Sequence, residues 1–420
     1  MKGYVSALLG MAAEDIEASA CAEISAGNAL DMALCARHAR YYLALAEEAE
    51  PHLNRREQPE WLDRLEDEHD NVRAALRWSM DGGDIQAGLR AASALPGFWW
   101  YRGYVVEGYR WLTALLARPG TDTPTSTRAK ALAWVGRWSG IFEDTHRGRA
   151  ILRESLDLAR HTEAPWVAAF VLDRLGTLAA RDGDMAQGRH LMHEAIQLFR
   201  EVGDQRWIAR SLSFLANLEL LSGDVIQAKK LLAEALATAR QSGDRSMIGQ
   251  TLEVLGQVES AQGQHARAHH IWEQSIAMYQ TVGNRQGIVS VRVSQGRLAV
   301  LLGDDAGART TYLECLTRMR DQGGYRLKEV LEGLAILAAR RGLAHQVLIL
   351  ARAGDRLTGS GYPGTVTDRA MYEQALSLAR QELGEERAAA AWAEGQALTR
   401  DEAYDLAVAV ASDKIATIDI

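Results

Sequence analysis

A turn signal falls every twenty residues along most of this chain, and that spacing admits few folds. Asp182-Gly183-Asp184, Gly223-Asp224, Gly263-Gln264 and Gly303-Asp304 lie forty residues apart. Midway between them fall Gly203-Asp204, Gly243-Asp244, Gly283-Asn284 and Gly323-Gly324. The lattice runs back through Glu163-Ala164, Glu143-Asp144, Thr123-Pro124, Gly103 and Gly83, and forward to Gly342 with one residue lost. Glycine takes the left-handed conformation that closes a helix, and the Asp or Asn after it caps the next. Each unit is then a helix of about 16–17 residues, roughly 25 Å long, and a tight turn that forces its neighbour antiparallel. Two helices make one forty-residue repeat.

Inside the repeats, small and large residues recur in phase. Leu172, Leu175, Gly176, Gly188, Met192 and Ala195 return as Leu212, Leu215, Ala216, Ala228, Leu232 and Ala235. Leu252, Leu255, Gly256, Ala268, Trp272 and Ser275 form the next copy. A fourth keeps Gly296, Ala308, Tyr312 and Cys315 but has Arg292 and Gln295 where leucines stood. This spacing resembles the tetratricopeptide consensus, lengthened to forty residues in its second helix, which predicts an all-α tetratricopeptide-like α-solenoid, a right-handed superhelix of antiparallel hairpins. Only 7 of 420 residues are proline, which suits continuous helix. The expected layout is a weakly ordered segment over 1–27, capping helices over 28–82, the solenoid over 83–357, and C-terminal capping helices and tail over 358–420. Six or seven hairpins are expected between about residues 61 and 357.

The end segments carry a second resemblance. Arg37-His38-Ala39-Arg40-Tyr41-Tyr42-Leu43-Ala44-Leu45-Ala46-Glu47, and the stretch from Trp61 to Leu76, are similar to the segment that joins winged helix to repeats in bacterial STAND-class ATPase regulators. Ala391-Trp392-Ala393-Glu394-Gly395-Gln396-Ala397-Leu398-Thr399 resembles the closing segment of their MalT-like repeat region. The resemblance implies a sensor or partner-docking arm in LuxR-type transcription regulation. The ATPase signature G-x4-G-K-[ST] does not occur, and the nearest match, Gly359 to Gly364, is followed by Thr365 rather than lysine. Leu398-Thr399-Arg400-Asp401-Glu402 resembles the start of a LuxR-type helix-turn-helix, but too few residues follow to complete one.

Several chemistries lose support. The net charge of −8, with both signs interspersed, argues against nucleic acid as the ligand. Cys21, Cys35 and Cys315 are scattered and show no metal-ligand spacing. His265 and His269 stand four apart beside His270, without the Glu of an HExxH pair, and read as a solvated surface set. The aromatic stretch Phe98, Trp99, Trp100, Tyr101, Tyr104, Tyr109, Trp111 reads as packing between repeats rather than as a ligand cage. No run of about 18 apolar residues occurs, and a cytoplasmic protein is expected. No cofactor, no metal and no enzymatic activity are expected.

The remaining candidate is the inner face of the first helices. Arg137, Asp173, Thr177, Arg210, Ser213, Asn217, Gln250, Glu253, Gln257 and Arg297 are expected to be exposed there, in register along one concave groove. The predicted function is a non-catalytic scaffold or sensor arm, binding a partner protein, a peptide or a small inducer. The alternative is a truncated fragment of a STAND ATPase transcription regulator whose activity lies in missing modules. Arg210→Glu with Asn217→Ala is the substitution pair that reading suggests.

Overall fold

Left-handed glycines end the helices where the lattice places them. In the computed structural model Gly103, Gly183, Gly203, Gly223, Gly243, Gly263, Gly283, Gly303 and Gly342 all have φ between 65° and 93°. After six of them, the amide of the next residue reaches back to the carbonyl five residues earlier: Asp204 to Phe199, Asp224 to Glu219, Gln264 to Glu259, Asn284 to Tyr279, Asp304 to Ala299 and Leu343 to Ala338. The following side chain then starts the next helix. Asp204, Asp224, Asn284 and Asp304 each accept from the backbone N–H three residues on, at 2.9–3.1 Å. At the lattice's early edge the left-handed residue is Gly82 rather than Gly83, whose α-carbon is pressed against the Trp78 ring.

The structure describes residues 29–142, 145–320, 326–358 and 366–412. The expectations for residues 1–27, the Glu143-Asp144 and Gly323-Gly324 turns and the Gly359–Gly364 stretch fall outside these. Twenty α-helices are present among the described residues, with a 3-10 turn at His52–Asn54. The N-terminal set is α1 (Ala29–Ala49), α2 (Gln58–Asp67), α3 (His69–Met80), α4 (Ile85–Ala94), α5 (Pro96–Arg102) and α6 (Val105–Leu116). The long hairpins are α7 (Ser126–Phe142) with α8 (Thr145–His161), α9 (Pro165–Arg181) with α10 (Met185–Glu201), and α11 (Gln205–Leu221) with α12 (Val225–Ser242). They continue as α13 (Arg245–Ala261) with α14 (His265–Gln280), α15 (Arg285–Leu302) with α16 (Asp305–Met319), and α17 (Leu327–Arg340) with α18 (Ala344–Thr358). α19 (Val366–Ala397) bends at Gly384, and α20 (Arg400–Ala411) ends the described chain.

Two departures from the lattice have local causes. Pro96 lacks an amide hydrogen, so the helix begun at Ile85 stops and a new one starts with proline in its first turn. α20 begins at a capping box: Thr399 accepts from the Glu402 amide, and Glu402 accepts from the Thr399 amide at 2.7 Å. Tyr404, Ala403 and Ala407 of α20 are buried in one core with Tyr312, Leu334 and Leu348, so this segment closes the helical stack.

The chain forms two compact units. The first holds the described residues up to Ala179 with Ala186–Ser211 and Gln241–Asp244; the second holds Ala180–Met185, Leu212–Arg240 and residues from Arg245 onward. In the first, α7 and α8 cross at paired glycines: a Cβ on Gly148 would lie 2.7 Å from the Gly136 carbonyl oxygen and the Gly140 nitrogen. In the second, Gly256 faces the fully buried Trp272 ring and Gly296 faces Tyr312. The irregular copy is repaired locally. Gln295, where a leucine was expected, is buried, donates to Glu273 at 2.9 Å and accepts from Arg292 at 2.8 Å.

Four of the seven residues of the aromatic stretch pack in the core, while Trp100, Tyr104 and Trp111 are half-buried. Phe98, Trp99, Tyr101 and Tyr109 are buried, and Trp99 meets Trp138 edge-on at 6.3 Å. Beneath it, Glu107 receives both arms of Arg73, at 2.6 and 2.8 Å, and lies 3.3 Å from His69. Burial raises the Glu107 carboxyl, but the hydrogen bonds from Arg73 and His69 outweigh it and hold the group at about 2.

In the second unit burial pushes the Glu332 carboxyl up to about 7, against the pull of Lys328, with Glu329 and Asp355 adding to the rise. The folded chain therefore keeps a proton that the unfolded chain releases near 4.5, and stability falls as pH rises between those values. Glu332→Gln is expected to add about 1–2 kcal/mol near pH 8 and much less near pH 5. Urea melts at both pH values check this, and an equal effect at both would contradict it.

Candidate functional site

First helices of neighbouring repeats are tied by polar bonds at a fixed offset. In the first unit Ser211 donates to Asp173 at 2.6 Å and Trp166 Nε1 to Asp204 at 2.8 Å, each 38 residues apart. In the second, Ser213 and Thr251 share a bond of 3.2 Å, and Asn284 donates to Ser246 at 2.9 Å, again 38 apart. Ser290 to Glu253 at 2.5 Å and Gln257 to Ser294 at 3.4 Å span 37. The repeat length less two or three residues brings these positions face to face.

These ties change the status of the ten inner positions. None is exposed. Asp173, Ser213, Asn217 and Glu253 are buried, while Arg137, Thr177, Arg210, Gln250, Gln257 and Arg297 are half-buried. The expectation of ten exposed groups fails; at Asp173, Arg210, Ser213, Glu253 and Gln257 the side chain has a partner on a neighbouring first helix, and Thr177 bonds the Asp173 carbonyl of its own helix. Arg137, Asp173, Thr177 and Arg210 belong to the first unit, and Ser213, Asn217, Gln250, Glu253, Gln257 and Arg297 to the second.

In the first unit α7, α9 and α11 bring a ladder of arginines onto aromatic rings. Arg137 lies over Trp134 at 5.1 Å and over Trp100 at 4.8 Å. Trp134 packs on Phe170 with ring centres 4.5 Å apart, and Phe170 on Trp207 at 4.8 Å. Arg174 lies over Phe170 at 5.5 Å and over Trp207 at 5.3 Å, and Arg210 over Trp207 at 5.3 Å. Trp134, Phe170 and Trp207 are buried and Trp100 is half-buried; Arg174 is buried with them, while Arg137 and Arg210 are half-buried. Both Arg174 and Arg210 donate to one oxygen of Asp173, whose other oxygen takes Ser211. Asp173 is wholly buried, which makes Arg210 part of its support. Arg210→Glu would place two carboxylates together, so it tests folding rather than binding.

At the edge of this unit, Arg206 reaches the N-terminal helices. It donates to Asn54 and to the Tyr101 hydroxyl and lies 3.1 Å from the buried Asp244. Burial opposes its charge, but Tyr101 and Asp244 hold the guanidinium well above its ordinary range. The sequence lattice gives no sign of this tie, since it joins a loop to a repeat 152 residues away.

The second unit has its own buried charge cluster. Arg326, in a left-handed conformation before α17, donates to Ser290 Oγ at 2.8 Å, to Glu329 at 3.2 Å and to Glu253 at 3.3 Å. Tyr279 adds a bond to Glu253 at 3.3 Å. Burial nonetheless raises the Glu253 carboxyl. Among the described residues no group of three or more His, Cys, Asp or Glu is placed to hold a metal ion. His269 and His270 are exposed, and no helix among the described residues is long and apolar enough to cross a membrane.

Comparison with known proteins agrees with this architecture. The tetratricopeptide repeat model matches residues 167–241 and 207–281, so the chain carries tetratricopeptide repeats. Proteins of Mycobacterium tuberculosis and Mycobacterium bovis that carry the name HTH-type transcriptional regulator are 37% identical over 101 residues. That stretch is 23% of this chain and only 11% of theirs. Among solved structures, the Rap conjugation gene regulator of plasmid pLS20, in complex with the Phr* peptide, is similar with a TM-score of 0.51 and 13% identity. The likeness covers 84% of this chain and 98% of that one. A Rap protein complexed with competence and sporulation factor gives a TM-score of 0.49 at 12% identity, covering 92% and 97%. The likeness is one of fold: an all-α, tetratricopeptide-type helical solenoid.

Proposed function

We propose that this chain is a regulatory scaffold of the cytoplasm that binds a peptide, or a flexible segment of a partner protein, on the inner face of its first helices. It works by binding rather than by catalysis. The observation that carries this reading is the arginine–aromatic ladder of the first unit. Its side chains are fixed by stacking and by Asp173 before any ligand arrives, so binding costs little ordering entropy. The Rap regulator with a similar fold was solved with a peptide, which supports the same class of ligand here. A small inducer is the lesser alternative, since a ladder spanning three helices offers more length than a small molecule needs. The mycobacterial match supports a second reading, in which the chain corresponds to the repeat arm of a larger transcription regulator of the STAND type.

The test is a random dodecapeptide array probed with the purified chain, repeated with Thr177→Tyr. Thr177 is half-buried on α9, one turn from Asp173, and a tyrosine there adds bulk without charge. Captured peptides should lose at least about tenfold in affinity while the melting temperature holds. An array without ligands, or ligands indifferent to Thr177→Tyr, would defeat the proposal.

A further inference from the structure

The loop between α1 and α2 touches parts of the chain that a stack of repeats should keep from it, since repeats in a solenoid meet only their neighbours. Glu50, at the loop's start, accepts from Lys130 of α7, and that ammonium lies 5.7 Å over the Trp166 ring of α9. Asn54 accepts from Arg206 of α11, 152 residues away. The Arg56 backbone passes beside the turn that follows α12: a Cβ on Gly243 would lie 3.5 Å from the Arg56 Cβ and 3.8 Å from its α-carbon. Lys130, Trp166 and Arg206 stand in the first two turns of their helices. The loop's contacts therefore fall at the starts of α7, α9 and α11, the one to α9 through Lys130. All of these residues belong to the first unit.

The loop has a fixed root and a lightly held tip. At the root Leu53 is buried, Gln58 donates to its carbonyl at 2.5 Å, and His52 stacks on Trp61 with ring centres 4.7 Å apart. At the tip Arg55, Arg56 and Glu57 are exposed. Among the described residues, the bond from Arg206 to Asn54 is the hydrogen bond that joins this tip to the long hairpins. Breaking a buried ion pair is costly because it leaves a charge alone. Letting go of Asn54 avoids that cost. Arg206 still stands 3.1 Å from Asp244 and still donates to the Tyr101 hydroxyl, and both partners lie outside the loop. Release exchanges one neutral acceptor for water, and a contact of that kind opens locally, far below the free energy of unfolding.

We propose that the α1–α2 loop is a strap, latched by Asn54 on Arg206, that opens and closes over the start of α11 and controls access to Arg206. Arg206 lies one turn before Arg210, so the open strap bares a guanidinium edge at that end of the arginine–aromatic ladder. The strap needs no ligand, and its test is separate from that of peptide binding.

Limited trypsin digestion of the full chain, read by mass spectrometry at the bonds after Arg55 and Arg56, measures the opening. Cleavage tracks the open population while reclosing is fast, so wild type should be cut there at least about tenfold more slowly than a blocked peptide of residues 51–58. Asn54→Ala should speed cleavage about tenfold, as expected for the loss of one hydrogen bond to a charged group, with an unchanged melting temperature. Peptide mapping after phenylglyoxal treatment should show Arg206 modified faster by a similar factor. Wild-type cleavage at the rate of the peptide, or indifference to Asn54→Ala, would overturn the latch. A melting temperature that falls in step with faster cleavage would make the contact part of the global fold and overturn the strap. Faster cleavage with Arg206 still protected would overturn its control of access.

Discussion

Asp173→Ala is expected to destabilise the first unit by about 3–5 kcal/mol, among the largest single effects in the chain. The carboxylate is wholly buried, and its removal strands Arg174 and Arg210 over an aromatic floor without their shared counter-charge. Ser211 also loses its acceptor. Asp173→Asn keeps an acceptor for Ser211 and should cost less. The effect should be strongly non-additive: with Arg174→Leu and Arg210→Met in place, Asp173→Leu should recover much of the loss, because no charge is then left buried alone. Urea melts of the single and triple variants give the comparison. Equal losses in both would show that shape rather than charge holds this position.

Gly148→Ala is expected to cost about 3 kcal/mol, although alanine is the better helix former. The added Cβ would fall 2.7 Å from backbone atoms of Gly136 and Gly140. Backbone cannot swing aside as a side chain can, so α7 and α8 must separate. Gly176→Ala is the control. Its Cβ would meet the Gly188 carbonyl at 3.1 Å and flexible side chains at 3.3 Å, and the position forty residues on is already Ala216. Its cost should stay below about 1 kcal/mol. Thermal melts of the two variants decide, and similar losses would contradict the close-crossing account.

The helices were legible because each boundary is a local event. Gly203-Asp204 ends one helix and starts the next by bonds among neighbouring residues, and the same is true at Gly223, Gly283 and Gly303. The candidate site was only partly legible. Phase places the candidate positions on first helices, but the burial of several depends on partners 37 or 38 residues away, as at Asp173 with Ser211. That offset was available in the sequence, since Ser213 with Thr251 and Ser246 with Asn284 repeat it. The tie from Arg206 to Asn54 and Tyr101 leaves no such trace, because it follows from where a non-repeating loop happens to lie. Trp134, Phe170 and Trp207 were visible as large residues, but which faces the arginines cover depends on packing across three helices.

Hydrogen–deuterium exchange with an array-selected peptide tests the central claim most directly. The account predicts that the peptide slows exchange in the first helices α7, α9 and α11, around Arg137, Thr177 and Arg210, and leaves the second helices α8 and α10 unchanged. Protection confined to α8 and α10, or absent from the first helices at saturating peptide, would contradict it.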